Sequence, residues 1–237
     1  MNKKNLTFKN NIQKKYIKQK FLKNFNTVFK NTINEVNNTN KTLNTLNKKF
    51  KFNYNIKELN KFQKFKIIAL IGMGGSILGA EAINNFLEKK IRKKIYFFNN
   101  LDERKLMKFK KKESLDKVLF LIISKSGNTI ETISNTFLLN IIKKNAKNII
   151  LISERKNNLL FSLSKKFNLF YIEHKSYIGG RYSIFSEVGM IPAYLMGLNT
   201  IRLRSQTLKF LKGKDKTFLK DSVIKLASII NSKKINN

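Results

Sequence analysis

Between Ile67 and His174 the sequence alternates short apolar runs with segments whose apolar residues recur at helical spacing. The runs are nearly continuous in Ile, Leu, Val and Phe, which is typical of parallel strands covered on both faces. The predicted strands are Ile67–Gly72, Ile95–Asn99, Val118–Ser124, Asn148–Ser153 and Leu169–His174. The predicted helices between them are Leu78–Lys90, Glu103–Lys110, Thr129–Lys143 and Asn157–Phe167. This alternation predicts an α/β fold, a doubly wound five-stranded parallel sheet flanked by helices.

Residues 1–60 contain neither Gly nor Pro, and their apolar residues recur at roughly helical spacing. The members of that series are Ile12, Tyr16, Phe21, Phe25 and Phe29. We therefore predict an N-terminal helical extension over residues 1–60, packed on the main domain through its Phe face. The main domain is expected over residues 61–200, and a basic helical segment over residues 201–237.

The formal net charge of +35 is compatible with a nucleic-acid partner, because Lys and Arg neutralise phosphates. However, only six of the 49 basic residues are Arg, the side chain preferred for forked phosphate and base contacts. The Lys residues occur together with many Asn, Ile and Phe, a bias typical of a very AT-rich genome. We therefore interpret the charge as compositional and expect no nucleic-acid partner.

The chain contains no Cys, so it has no disulfide framework, thiolate metal site or Cys nucleophile. We expect neither a metal nor a cofactor. No stretch approaches the roughly 20 apolar residues that a membrane-spanning helix needs. The first residues also lack the apolar core of a secretory signal. These features predict a cytoplasmic protein without a membrane partner.

The loop after the first predicted strand, Gly72–Gly79, reads GMGGSILG and opens a helix. Glycines allow the backbone to turn tightly and to approach a ligand, and the helix N-terminus offers free N–H groups. The spacing fits neither the dinucleotide fingerprint nor the P-loop, since Ala80 and Glu81 stand where the P-loop needs Lys and Ser or Thr. A tight turn without a ligand remains the alternative.

The loop after the third predicted strand is also followed by a helix. Ser124, Ser126 and Thr129 supply three short hydroxyls beside the exposed N–H groups of the helix start, an arrangement that can satisfy the oxygens of a phosphate. Glu131 lies in the first helical turn, where a carboxylate favours the helix dipole. The alternative is ordinary N-capping, but a cap needs one hydroxyl and this loop has three.

A third loop, Gly179–Ser183, follows the last predicted strand and precedes a predicted helix. Its two glycines can keep the backbone close to a ligand while the single Arg181 reaches into a cleft. The alternative is a surface Arg beside a helix start that Ser183 caps.

Together, the segments IGMGGSILGAEA, SKSGNTIET and IGGRYSIFSEVGMIPAYLMG resemble three motifs of the glucose-6-phosphate isomerase family, in the family's order. The resemblance covers about residues 65–200. It implies the first of the two sugar isomerase domains that this family contains. It also implies aldose–ketose isomerisation of glucose 6-phosphate and fructose 6-phosphate through a cis-enediolate, in glycolysis and gluconeogenesis. A homodimer is implied for the complete protein.

The resemblance also implies roles for individual residues. The implied substrate-binding residues are Gly75, Ser76, Ser124, Lys125, Ser126 and Thr129. Arg181 is the implied catalytic residue, stabilising the charge that develops on the enediol oxygen. Glu131 is implied to support the site without touching the substrate. One departure lies within the loop of residues 124–129, which we call the phosphate loop: Gly127-Asn128 replaces the bulkier aromatic-Thr pair common in longer relatives.

The family places its base glutamate, its ring-opening histidine and a late lysine beyond the GGR motif. Residues 199–237 resemble none of those motifs, so we expect a chain truncated before the C-terminal half. His174 and Glu187 are possible substitutes for the base. His174 ends a predicted strand and is interpreted as structural, whereas Glu187 lies in the helix after the GGR motif and could reach the loop only with an unusual rotation. The alternative function is a non-catalytic sugar-phosphate-binding or regulatory domain. Residues 1–60 lack the Gly-containing short turn of a helix-turn-helix regulator.

Overall fold

The computed structural model of the chain describes residues 19–211 and 213–232. The described residues divide into two compact units, a smaller one of residues 19–34, 206–211 and 213–232 and a larger one of residues 35–205. Residues 35–60 therefore belong to the same unit as the sheet. The domain boundaries predicted at residues 60 and 200 stay predictions.

The larger unit contains a five-stranded parallel sheet in the order β2-β1-β3-β4-β5. The strands are β1 Ile67–Gly72, β2 Lys94–Phe98, β3 Val118–Ile123, β4 Ile149–Ser153 and β5 Phe170–Glu173. Each lies within one residue of its predicted bounds. The α/β fold with a doubly wound parallel sheet is therefore confirmed.

The α-helices of the described residues are α1 Gln19–Asn37, α2 Ile56–Leu59, α3 Leu78–Phe86, α4 Glu103–Lys112, α5 Ile130–Leu138, α6 Leu159–Lys166, α7 Glu187–Leu195, α8 Thr200–Lys209 and α9 Gly213–Asn231. The prediction that α5 extends to Lys143 was wrong. The helix ends at Leu138 because Asn140 takes a left-handed φ of 52° and its N–H bonds the carbonyl oxygen of Phe137.

Apolar side chains cover both faces of the sheet. One layer packs the sheet against α3 and α7, and it includes Ile68, Leu70, Ile83, Val188 and Ile191. The other packs it against α4 and α6, and it includes Ala69, Ile71, Phe109, Phe120 and Leu160. Burying one Leu or Ile side chain contributes roughly 1.5–3 kcal/mol, so the continuous apolar strands stabilise both layers.

The first two site loops leave the sheet side by side. Gly72 at the end of β1 pairs with Ile123 at the end of β3, and a Cβ on Gly72 would lie 2.8 Å from the Ile123 carbonyl oxygen. The chain leaves β1 toward β2 and leaves β3 in the opposite direction, toward β4. In doubly wound sheets such a switch point opens the crevice in which ligands bind.

In the smaller unit, part of the predicted Phe face lies within α1. Phe25 is buried and stacks on Phe29 with ring centroids 5.6 Å apart, and the Lys216 ammonium lies 4.3 Å from the Phe29 ring centroid. Ile12 and Tyr16 lie outside the described residues. None of the described helices is long and apolar enough to cross a membrane.

Candidate functional site

Three hydroxyl groups converge at the N-terminus of α5. The Oγ of Ser124 lies 2.8 Å from the Oγ1 of Thr129, and the Oγ of Ser126 lies 3.4 Å from each of them. Ser124 is buried, Thr129 is half-buried and Ser126 is exposed, so the cluster opens to solvent through Ser126. The structure thus brings together all three hydroxyls that the sequence pattern singled out.

None of the three hydroxyls caps α5. Thr129 occupies the N-cap position, yet its side chain makes no capping bond. Within the described part of the chain, the N–H groups of Ile130, Glu131 and Thr132 have no hydrogen-bond partner. Unpaired helix-start N–H groups beside these three hydroxyls form a site suited to an anion with several oxygens, such as phosphate.

Gly127 lies between these hydroxyls with a left-handed φ of 71°. A Cβ at this position would lie 1.8 Å from the Oδ1 of Asn158, which belongs to the loop between β4 and α6. The first two residues of α6 continue this contact: the Leu159 N–H donates to Asn128 Oδ1 at 2.8 Å and the Leu160 N–H to the Gly127 carbonyl oxygen at 3.2 Å. The β4–α6 loop therefore packs directly against the phosphate loop, and only Gly fits the contact.

The loop of residues 179–183, which we call the GGR loop, contacts the loop of residues 72–79 after β1, which we call the first glycine loop. A Cβ on Gly75 would lie 2.2 Å from the Gly180 carbonyl oxygen, so the two backbones are in direct contact. The Ser183 hydroxyl donates to the carbonyl oxygens of Gly75 at 3.0 Å and of Gly180 at 2.7 Å. Ser76 ends a short 3-10 turn in this contact region and is half-buried. The third loop therefore crosses from the β5 edge of the sheet to the end of β1.

Arg181 lies in the 3-10 turn Gly180–Tyr182 and is exposed. Its guanidinium makes no hydrogen bond or ion pair with any residue that the structure describes. Glu131, half-buried in the first turn of α5, likewise has no side-chain partner there. Both charged groups are thus available to a ligand or to a further part of the protein.

Lys125 belongs to the phosphate loop, but its ammonium lies elsewhere. It donates to the Ser176 carbonyl oxygen at 2.8 Å and lies 3.4 Å from the Oε1 of Glu154. Glu154 also pairs with Lys156. Burial alone would raise the pKa of Glu154, but hydrogen bonds from Lys156 and Lys125 outweigh it and hold that pKa below its usual range.

Sequence reasoning missed Glu154. Its side chain is only 7% exposed. The one available signal was its position, because it directly follows β4 at the edge where the other site loops begin.

The two possible substitutes for a base are both buried. His174 is 1% exposed, neither ring nitrogen has a hydrogen-bond partner among the described residues, and burial lowers its pKa to about 4. Glu187 is fully buried. Its Oε1 accepts the Asn53 N–H at 2.9 Å and lies 3.8 Å from the Lys175 ammonium, and burial raises its pKa. Neither side chain is open to a bound ligand.

The fold and the site together define a doubly wound α/β domain that can hold a phosphate at a helix start. A family model described as phosphoglucose isomerase matches residues 2–231. The chain belongs to the phosphoglucose isomerase family, which confirms the resemblance inferred from the three motifs.

Curated relatives agree with the family match. The chain is 38% identical over 146 residues to a probable glucose-6-phosphate isomerase of Methanococcus maripaludis, covering 57% of this chain and 33% of that protein. It is 29% identical to the enzyme of Methanocaldococcus jannaschii, with 76% and 44% covered, and 34% identical to that of Borreliella afzelii, with 75% and 36% covered. The chain thus spans about a third to less than half of the curated relatives it matches.

Two solved structures share the fold. A hypothetical protein from Thermus thermophilus superposes with a TM-score of 0.69 at 16% identity, covering 92% of this chain and 55% of that one. A glucose-6-phosphate isomerase from Chlamydia trachomatis superposes with a TM-score of 0.53 at 25% identity, covering 68% and 31%. The first supports the fold alone, because its identity is low.

Proposed function

We propose that this chain carries the substrate-binding half of a glucose-6-phosphate isomerase, which interconverts glucose 6-phosphate and fructose 6-phosphate in glycolysis and gluconeogenesis. The observation that carries the proposal is the cluster of Ser124, Ser126 and Thr129 hydroxyls at the start of α5. These three hydroxyls and the free N–H groups of the helix bind the substrate's phosphate. Membership of the isomerase family supports the choice of a sugar phosphate over other anions.

The remaining site residues act on the sugar. Gly75 and Ser76 lie beside the ligand where the first glycine loop meets the GGR loop. Arg181, exposed and unpaired within the described residues, stabilises the negative charge that develops on the enediolate oxygen. Glu131 supports the site from the first turn of α5. Lys125 completes the phosphate loop, although its ammonium is directed toward Ser176.

The reaction also needs a base that moves a proton between C1 and C2 of the sugar. Glu187 and His174 are both buried, so neither carboxylate nor imidazole is open to a bound sugar. This burial favours a second candidate function for the chain as it stands, a non-catalytic sugar-phosphate binder.

Further features follow from the same proposal. The complete protein is a cytoplasmic homodimer without a membrane or nucleic-acid partner. The net charge of +35 attracts anionic metabolites over long range, and any binding to duplex DNA is weak, sequence-blind and lost with added salt. A gel shift that shows sequence-selective binding at physiological salt would contradict this part.

Calorimetric titration with 6-phosphogluconate tests the phosphate site. Removing a hydroxyl that bonds a charged group costs about 1.5–3 kcal/mol, so Ser126→Ala should bind this ligand roughly ten- to a hundredfold more weakly than wild type. Ser134→Ala is the matched control, because Ser134 lies on α5 outside the hydroxyl cluster. Equal affinities of Ser126→Ala and wild type would contradict the proposed site, as would equal binding of gluconate and 6-phosphogluconate.

A further inference from the structure

Lys125, Glu154 and Ser176 form a connection between two of the site loops, which we call the Lys125 strap. The Lys125 ammonium donates to the Ser176 carbonyl oxygen at 2.8 Å and lies 3.4 Å from Glu154 Oε1. The backbone N–H of Glu154 in turn donates to the Lys125 carbonyl oxygen at 3.0 Å. The side chain of Lys125 therefore extends from the phosphate loop toward the β5–α7 loop.

Glu154 is the member of the strap that fixes the direction of Lys125. Its side chain is 7% exposed, and its two carboxylate oxygens pair with different Lys residues, Oε1 with Lys125 and Oε2 with Lys156. A buried carboxylate without a cationic partner would destabilise the fold, which favours the conformation in which the Lys125 ammonium lies beside Glu154. Without the carboxylate, the long Lys stem would be retained by a single carbonyl oxygen.

The far end of the strap lies on the loop that presents Arg181. Ser176 precedes Arg181 by five residues. The same loop is tied at Tyr177, whose carbonyl oxygen accepts the Thr42 hydroxyl at 2.8 Å, and at Gly180, which contacts Gly75. The Lys125 strap thus connects this loop directly to the phosphate loop.

We propose that Glu154 is a positioning residue of the sugar-phosphate site: it holds Lys125 against Ser176 and so sets the separation between the phosphate loop and Arg181. This inference rests on the proposed function and deepens it. A ligand that spans both ends of the site needs the correct separation, whereas a ligand that occupies only the phosphate loop does not. Glu154 therefore affects sugar-phosphate binding selectively.

The test compares inorganic phosphate with 6-phosphogluconate by calorimetry on wild type and Glu154→Gln. We expect 6-phosphogluconate to bind about tenfold more weakly to the variant, because misplacement of a distant contact is costly, while phosphate affinity changes less than about twofold. The variant carries one more net positive charge, so weaker anion binding cannot come from lost long-range attraction. Arg181→Ala should also weaken 6-phosphogluconate binding less in the Glu154→Gln background than in wild type.

Two further variants make the test specific. Glu113→Gln is the matched control, because Glu113 is also 7% exposed and paired with a Lys, Lys94, at the start of β2. It should leave both affinities within about twofold of wild type. Glu154→Asp keeps the charge but shortens the side chain that reaches Lys125, so it should reproduce the selective loss of 6-phosphogluconate affinity, including when Glu154→Gln does not fold.

Equal weakening of both ligands by Glu154→Gln, or no change in either, would overturn the positioning role. Undiminished loss on Arg181→Ala in the Glu154→Gln background would overturn it as well. Failure of wild type to bind either ligand would instead contradict the proposed function, so the two failures are distinguishable.

Discussion

Gly127 shows how tightly the phosphate loop constrains a single residue. Its φ of 71° lies in the left-handed region, and a Cβ there would lie 1.8 Å from the Asn158 Oδ1. Asn158 cannot move freely, because its Oδ1 caps α6 by accepting the Phe161 N–H at 3.0 Å and its Nδ2 donates to the Glu154 carbonyl oxygen at 2.8 Å. The β4–α6 loop therefore leaves no room for a larger side chain at position 127, where this chain has Gly.

Gly127→Ala should destabilise the protein through both backbone strain and this clash. Gly197→Ala separates the two effects, since Gly197 has a φ of 90° but open space within 4 Å of its Cβ position. Left-handed strain alone costs about 1–2 kcal/mol, so we expect roughly that loss at Gly197 and at least ~1 kcal/mol more at Gly127. Urea unfolding measures both. Equal losses in the two variants would show that Asn158 yields without cost.

At the residue scale, the sequence could predict groups that lie close together in the chain. Ser124, Ser126 and Thr129 fall within six positions, so strand-to-helix geometry alone brings their hydroxyls together. The contact between Gly75 and Gly180 joins residues 105 positions apart and depends on the path of the whole third loop. Such contacts carry no local signal in the sequence.

At the element scale, the strands were predictable because each is a short, mainly apolar run between polar segments. The three central strands are buried on both faces, whereas the edge strands β2 and β5 are only partly covered. Helix ends were less predictable. The apolar pattern of α5 continues through Ile141 and Ile142, but the left-handed Asn140 ends the helix first, and Ile141 then packs in the core. In such a short segment, an apolar residue that continues the helical spacing cannot be told from one that is buried in the following loop.

His174, which directly follows β5, should make the stability of the protein depend on pH. Its pKa of about 4 lies below the ordinary value of 6.5 because burial disfavours the charged ring. Between these pH values the unfolded chain binds a proton that the folded chain does not. The stabilising contribution of neutral His174 is therefore complete above pH 6.5 and is lost as the pH falls toward 4. Glu187, whose pKa burial raises, contributes with the opposite sign.

Because the chain contains a single His, its ring can be followed by NMR without assignment. We expect the ring C–H signals to stay constant from about pH 8 down to about pH 5 and to shift only at lower pH. Loss of signal intensity from the folded protein as the pH falls from 6.5 toward 4 would accompany the predicted loss of stability. A titration midpoint near 6.5 in the folded protein would contradict the burial of the ring.

At the scale of the whole molecule, the chain combines the proposed phosphate site with a length of about a third to less than half of its curated relatives. In the proposed function, the residues that match the family's motifs hold phosphate and stabilise charge, and none of them matches the family's base. General base catalysis is typically worth about 10²–10⁴-fold in rate. We therefore predict that the chain alone binds sugar phosphate but isomerises it very poorly.

The most direct test is the conversion of fructose 6-phosphate to glucose 6-phosphate, coupled to a dehydrogenase, on protein free of host isomerase. The 237-residue chain alone should give little or no turnover. Adding the C-terminal half of a family relative, in cis or as a separate chain, should restore activity, and Arg181→Ala should then abolish most of it. Robust turnover by the 237-residue chain alone would contradict the account, and Glu187 would become the first residue to replace.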